Sequence, residues 1–231
     1  MLLAAGLSCA FATAQQLSDL ATPRPLPPGT TLVIGFLGGY ERWDDPHRSV
    51  RQLVLRLRQK PGVDAESLSN HNRSVALALL RDALDTNRDG RIEPQEAAAA
   101  RIVLFGQSWG GAAAIALARD LQSDGIPVLL TVQVDSVGLH DNLIPPNVRA
   151  AINFYQHDPG SIWGRSQIGA ADPQRTAILG NFRRSYVFRR MDESHASWAR
   201  RVFGASHAKM ELDPALWAEI EHDIDTAVER R

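Results

Sequence analysis

The chain carries one cysteine, Cys9, in 231 residues. No intrachain disulfide can form, and cysteine usage says nothing about redox compartment. Lysine is almost missing as well. Lys60 and Lys209 are the only lysines among 25 basic residues. Formal net charge is −1 and the arginines are dispersed, so nothing calls for nucleic acid as a partner. The pairs Arg183-Arg184, Arg189-Arg190 and Arg200-Arg201 are explained at least as well by solvated faces. Beyond the first residues, no run is long and apolar enough to span a bilayer. Apolar residues make up 44% of the chain, enough for the core of a single domain.

Residues 1–14 differ from the rest. They carry no charge, are dominated by Leu, Ala and Phe, and end in Ala12-Thr13-Ala14 before polar Gln15-Gln16. An apolar stretch closed by an A-x-A pattern predicts a secretory signal peptide cleaved after Ala14, although no basic residue opens it. The expected location is secreted or periplasmic, and Cys9 leaves with the signal. Residues 15–29 contain Pro23, Pro25, Pro27 and Pro28 and read as a linker or a surface arm. Residues 30–231 form the expected domain.

Within that domain, short apolar runs alternate with helical spacing. Strands are expected at residues 31–36, 63–68, 102–105, 127–134, within 150–155, and around 185–188. Helices are expected at 46–60, 72–84, after Gly110 to about 124, and at 214–229. Residues 156–184 read as loop-rich. The alternation predicts an α/β fold: a mostly parallel sheet of about six strands with helices on both faces. Active sites of such sheets lie at the carboxyl ends of the strands.

Gly106-Gln107-Ser108-Trp109-Gly110 follows one of those strands and opens a helix. A Gly-x-Ser-x-Gly pentapeptide in that setting is a candidate nucleophile elbow, with Ser108 lifted clear of the sheet. A serine hydroxyl needs a base, and the base needs an orienting acid. In this chain order the acid precedes the histidine. Asp135 follows the next strand and is the preferred acid, with Asp158 as the alternative. His207, before the closing helix, is the preferred base, with His195 as the alternative. Trp109 N–H is one expected oxyanion donor. The second is expected from Leu37 or its neighbours Phe36 and Gly38, in the glycine turn after the first strand.

These motifs resemble the α/β-hydrolase superfamily, in its small lipase- and esterase-like branch of bacterial secreted hydrolases. The residues that carry the resemblance are Gly-Phe-Leu-Gly-Gly at 35–39, Gly-Gln-Ser-Trp-Gly-Gly at 106–111 and Val-Asp-Ser-Val-Gly at 134–138. Ile-Pro-Pro-Asn-Val at 144–148 and His-Ala-Lys-Met at 207–210 add to them. The resemblance spans most of residues 31–220. It implies the triad Ser108, Asp135, His207, and hydrolysis of an ester or thioester. The first two strands of a full-size member have no counterpart here.

Residues 85–96, Asp-Thr-Asn-Arg-Asp-Gly-Arg-Ile-Glu-Pro-Gln-Glu, fit the EF-hand loop throughout. Asp85, Asn87 and Asp89 offer side-chain oxygens at positions 1, 3 and 5. Arg91 offers its carbonyl at position 7, Glu93 acts at position 9, and Glu96 supplies the two-oxygen ligand at position 12. Hard oxygen donors suit Ca²⁺. A lone loop of this kind predicts a structural clip rather than a sensor. The expected protein is thus a monomeric serine hydrolase of small carboxylic esters with a structural calcium and no organic cofactor. A thioesterase or amidase on the same triad is one alternative. A non-catalytic calcium-binding module on a hydrolase scaffold is the other.

Overall fold

The computed structural model describes residues 15–160, 162–191 and 205–229. The expected signal peptide and His195 lie outside them. Six strands build one sheet: β1 (Thr31–Leu37), β2 (Val63–Ser69), β3 (Ile102–Gln107), β4 (Val128–Val134), β6 (Val148–Gln156) and β8 (Ala177–Arg184). Their order is β2-β1-β3-β4-β6-β8, and every neighbouring pair is parallel. Two short strands, β5 (Leu143–Ile144) and β7 (Gly169–Ala170), pair beside it.

The central strands are buried on both faces, which is why β1, β3 and β4 read as unbroken apolar runs. Successive residues point to opposite faces. Ile34 and Leu104 join one core with helices α2 (Arg73–Leu84), α3 (Pro94–Ala99) and α4 (Trp109–Ser123). Val33 and Phe105 join the other with α1 (Ser49–Leu57) and α6 (Pro214–Glu229). In α1 the buried residues are Val50, Leu53, Val54 and Leu57, a single helical stripe. Residues 15–29 form an arm packed on the domain. Ala21 N–H, Thr22 N–H and the Thr22 hydroxyl all donate to the buried Glu66 of β2, and Leu26 N–H donates to Ala83 O at 2.7 Å.

Two sequence expectations fail here. The sixth strand is not at 185–188 but at Ala177–Arg184, inside the stretch read as loop-rich. As the edge strand, β8 has no fully buried residue and carries Gly180, Asn181, Arg183 and Arg184, so its sequence lacks an apolar run. The apolar signal at 185–188 came from Tyr186, which is buried next to the sheet and donates its hydroxyl to Asp213. The second correction concerns His207. It sits within a short helix, α5 (Ala205–Leu212), and not in a loop.

Candidate active site

The pentapeptide makes the turn expected of it. β3 ends at Gln107, Ser108 has φ 56° and ψ −125°, and α4 begins at Trp109. An L-residue at positive φ costs on the order of 1–3 kcal/mol and persists only where the surroundings impose it. Here they do. Ser108 N–H donates to Val134 O, and Ser108 O accepts from Gly111 N–H and Val137 N–H. A Cβ on Gly106 would lie 2.3 Å from Gly110 backbone, and one on Gly110 would lie 2.1 Å from Phe36 O. Both positions must be glycine for strand and helix to meet this closely.

Asp135 stands one strand over, directly after β4, and also has positive φ, 44°. It is fully buried, and four donors converge on it. Oδ1 accepts from Gln156 N–H at 3.1 Å and Gly164 N–H at 2.9 Å. Oδ2 accepts from the Gln156 side-chain amide at 3.0 Å and from His207 Nδ1 at 2.6 Å. Asp158 does different work. It accepts from Ser185 Oγ at 2.8 Å and Tyr186 N–H at 2.5 Å, pinning the chain just after β8. Burial pushes its carboxyl up, but Tyr186 N–H and the Ser185 and Ser206 hydroxyls outweigh that and hold it below the usual range. Between the two candidate acids, Asp135 is the one bonded to His207.

Asp135 at Nδ1 requires a proton on that nitrogen. His207 Nε2 then carries the lone pair, and the Gln107 side-chain amide meets it at 3.3 Å. Two partners therefore select one tautomer. Ser108 and His207 line the same cleft, about 700 Å³, together with Tyr40, Trp109, Val137 and Ile162. Trp109 N–H lies in the first turn of α4, where helix N–H groups have no partner within the helix. Across from it, a Cβ on Gly38 would come within 3.0 Å of Ser108 Cβ. Leu37 is the buried last residue of β1, and its carbonyl accepts from Asn70. The glycine turn thus reaches Ser108 through Gly38, one of the neighbours named beside Leu37.

Gln107, Gln156 and Gly164 were not legible as site residues. Gln107 was visible only as the variable position of the pentapeptide. Gln156 and Gly164 act through amide groups that any sequence carries in abundance.

The strand order, the strained serine between β3 and α4, and the chain order Ser108, Asp135, His207 decide the architecture. The fold is that of the α/β-hydrolases. Among the described residues no strand precedes β1. The chain matches no family model and no curated protein. Among solved structures, it is similar to a thioesterase of the prodiginine biosynthetic pathway of Streptomyces coelicolor: 13% identity, TM-score 0.46, covering 87% of this chain and 94% of that one. It is similar also to human thioesterase 2: 10% identity, TM-score 0.43, covering 87% and 97%. At such values the likeness of these α/β-hydrolase folds assigns no activity to this chain.

Residues 85–96 link α2 to α3. Arg88 and Gly90 take positive φ, 61° and 81°. Asp85 accepts from Asp89 N–H and Gly90 N–H, Asn87 from Asp89 N–H, and Asp89 from Arg91 N–H. Glu96 accepts from Thr86 N–H and hydroxyl and from Glu93 N–H, which closes the loop end to end. The Thr86 hydroxyl, with those N–H groups, holds the Glu96 carboxyl below its usual range. Among the described residues, no three His, Cys, Asp or Glu side chains are gathered as a metal centre. The donor set is all oxygen, and the loop already curls its side chains inward on its own backbone. Its chemistry therefore fits a hard cation, with Glu96 at present serving the loop's own N–H groups. Among the described residues no helix is long and apolar enough to cross a membrane.

Proposed function

We propose that the chain is a serine hydrolase acting on carboxylic esters. The observation that carries this is the 2.6 Å Asp135–His207 contact in the cleft that holds Ser108 at a strained elbow. In this mechanism Ser108 Oγ attacks the acyl carbonyl and His207 Nε2 takes its proton. Asp135 keeps Nδ1 protonated and stabilises the imidazolium as it forms. Trp109 N–H and the backbone of the turn at Leu37 and Gly38 receive the oxyanion. His207 then hands its proton to the leaving oxygen, and the alcohol departs. A water, deprotonated by His207, releases the acid and restores Ser108.

Gln107 donates to His207 Nε2 in the resting arrangement, so it must yield that nitrogen to Ser108 Oγ for attack. A fluorophosphonate probe tests the whole reading. Covalent labelling of the wild type and none of Ser108→Ala is expected. An unlabelled wild type, with or without calcium, would leave a binding module on a hydrolase scaffold as the better account.

The same reading includes export, with residues 1–14 removed, and a structural Ca²⁺ bound by Asp85, Asn87, Asp89, Glu93, Glu96 and the Arg91 carbonyl. Bound calcium supplies no chemistry to the reaction. Its support is positional: α3 ends at Ala99, three residues before β3 begins, so a clamp at 85–96 fixes the approach of the strand that delivers Ser108.

A further inference from the structure

The Ser108 cleft continues past Val137. That residue, whose N–H donates to Ser108 O at 3.1 Å, lines both the cleft and a second cavity of about 410 Å³. Ile162 faces the first cavity, and the next residue, Trp163, faces the second. The loop that carries them is clamped. Gly164 N–H donates to Asp135 Oδ1 at 2.9 Å, and Arg165 N–H donates to Ser136 O at 2.9 Å. The Arg165 side chain donates to the buried Asp141 at 2.6 Å and to Gly138 O at 2.6 Å. The loop that seats Asp135 therefore also builds the second cavity.

Trp163 is fixed within it. Its Nε1–H donates to Asp158 O at 2.7 Å, and its ring stacks on His157 with centroids 5.0 Å apart. The indole is nonetheless 48% exposed. A lone exposed ring is ordinary, but this one has neutral polar company. The Asn142 and Gln167 amides and the Ser166 hydroxyl line the same cavity, all on exposed residues. Among the described residues, none of these three side chains bonds to a protein group. An amide sets two N–H donors beside a carbonyl acceptor. Neighbouring hydroxyls of a polyol present the complementary pair, and its C–H face packs on an aromatic ring. The Ser108 cleft, besides its charged residues, offers Tyr40, Trp109, Val137 and Ile162 to an apolar group.

We propose that the second cavity is a subsite for a polyhydroxylated alcohol, so that the substrates are esters of an apolar acyl group with glycerol or a sugar. This rests on the serine hydrolase reading and names the alcohol half of its substrate. The acyl C–O bond breaks. Water supplies a hydroxyl to the acyl carbon and a proton to the departing polyol.

Three hexanoate esters isolate the alcohol: methoxyethyl hexanoate, monohexanoylglycerol and hexanoylglucose. The first carries an electron-withdrawing oxygen, as polyols do, but no hydroxyl to bind. Acid release in a pH-stat reads all three. For at least one polyol ester, kcat/KM should exceed that of the methoxyethyl ester by at least ~10-fold, the combined effect of two or more hydrogen bonds. The better of the two tells glycerol from sugar. Asn142→Ala combined with Gln167→Ala should cut that ratio at least ~5-fold, and so should Trp163→Ala. A ratio is unmoved by a general loss of activity. Equal turnover of the three by a protein labelled at Ser108 overturns the subsite. So does a preference that survives both variants, or a labelled protein that cleaves none of the three. If Ser108 resists the fluorophosphonate, the serine hydrolase reading itself falls, and the subsite with it.

Discussion

Gly110→Ala puts the elbow to a quantitative test. The new Cβ would lie 2.1 Å from Phe36 O, 2.6 Å from Phe36 C and 2.9 Å from Leu37 O. Relaxed C···O contacts run at about 3.3–3.6 Å, so strand and helix must part by roughly 1 Å. Neither can do so by turning a side chain, because both surfaces are backbone. β1 is buried along its whole length between β2 and β3. Overpacking of this kind costs about 3 kcal/mol, the upper end of the usual range. Alanine's better helix propensity returns about 1 kcal/mol, leaving a net loss of about 2 kcal/mol. For a domain of this size that lowers Tm by about 4–8 °C. The same displacement moves Ser108 against His207 and the oxyanion donors, where a 1 Å error costs on the order of 10²-fold in rate. Thermal melts and the second-order rate of fluorophosphonate labelling read the two effects separately. Gly160→Ala is the control, since among the described residues a Cβ added there would meet nothing within 4 Å and its φ lies outside the left-handed region. If Gly110→Ala melts and reacts like the wild type, the packing account of the elbow is wrong.

Asp135→Asn should leave the far-ultraviolet circular dichroism unchanged while lowering kcat by roughly 10⁴-fold, because an amide cannot accept from both His207 Nδ1 and three further donors. Activity within tenfold of wild type would remove Asp135 from the mechanism. For the calcium proposal, a site with Kd on the order of 10⁻⁴ M in ~1–10 mM Ca²⁺ stabilises by about 1.4–2.7 kcal/mol. Chelation should therefore lower Tm by about 3–10 °C, an effect missing in Asp85→Ala; an unmoved Tm would sink it. Asp158, whose carboxyl is held below its usual range, contributes stability that is fully present above about pH 4 and lost as pH falls through its folded value. Urea titrations should show the gap between wild type and Asp158→Asn greatest near neutrality and closing below pH 4, whereas a gap that widens on acidification would reverse the assignment.

Buried parallel strands announce themselves, so β1, β3, β4 and β6 were legible from apolar runs, and α1 from its single stripe. The edge of the sheet was not. β8 alternates half-exposed residues around Gly180 and Asn181, and its Asn181 side chain holds the connection after β6 by accepting from Ile168 N–H. A polar residue placed to hold a loop looks in sequence like any surface residue. At the candidate site, Ser108 and Asp135 stood out because each follows a strand directly. The pairing of His207 with Asp135 was legible only as chain order and through the resemblance, since the two lie 72 residues apart and meet through the packing of α5. The role of Gly164 likewise depends on a loop folding back to Asp135, and that of Gln156 on the pairing of β6 with β4.

The three site residues are not held equally, and that has a chemical consequence. Ser108 and Asp135 are clamped by backbone hydrogen bonds at the ends of adjacent strands. His207 comes from a two-turn helix and is oriented by side chains alone, Asp135 at one nitrogen and Gln107 at the other. The Gln107 carbonyl oxygen is buried and has no hydrogen-bond partner among the described residues, so only its amide end is tied down. With the Gln107 amide donating to Nε2, the lone pair of that nitrogen is already engaged, so in the proposed mechanism Gln107 must give way before Ser108 Oγ can use it. Gly38 accommodates that amide where it stands, since any Cβ there would lie 2.5 Å from the Gln107 oxygen. The glycine turn after β1 thus serves two ends, approach of the backbone to Ser108 and room for the amide that meets His207.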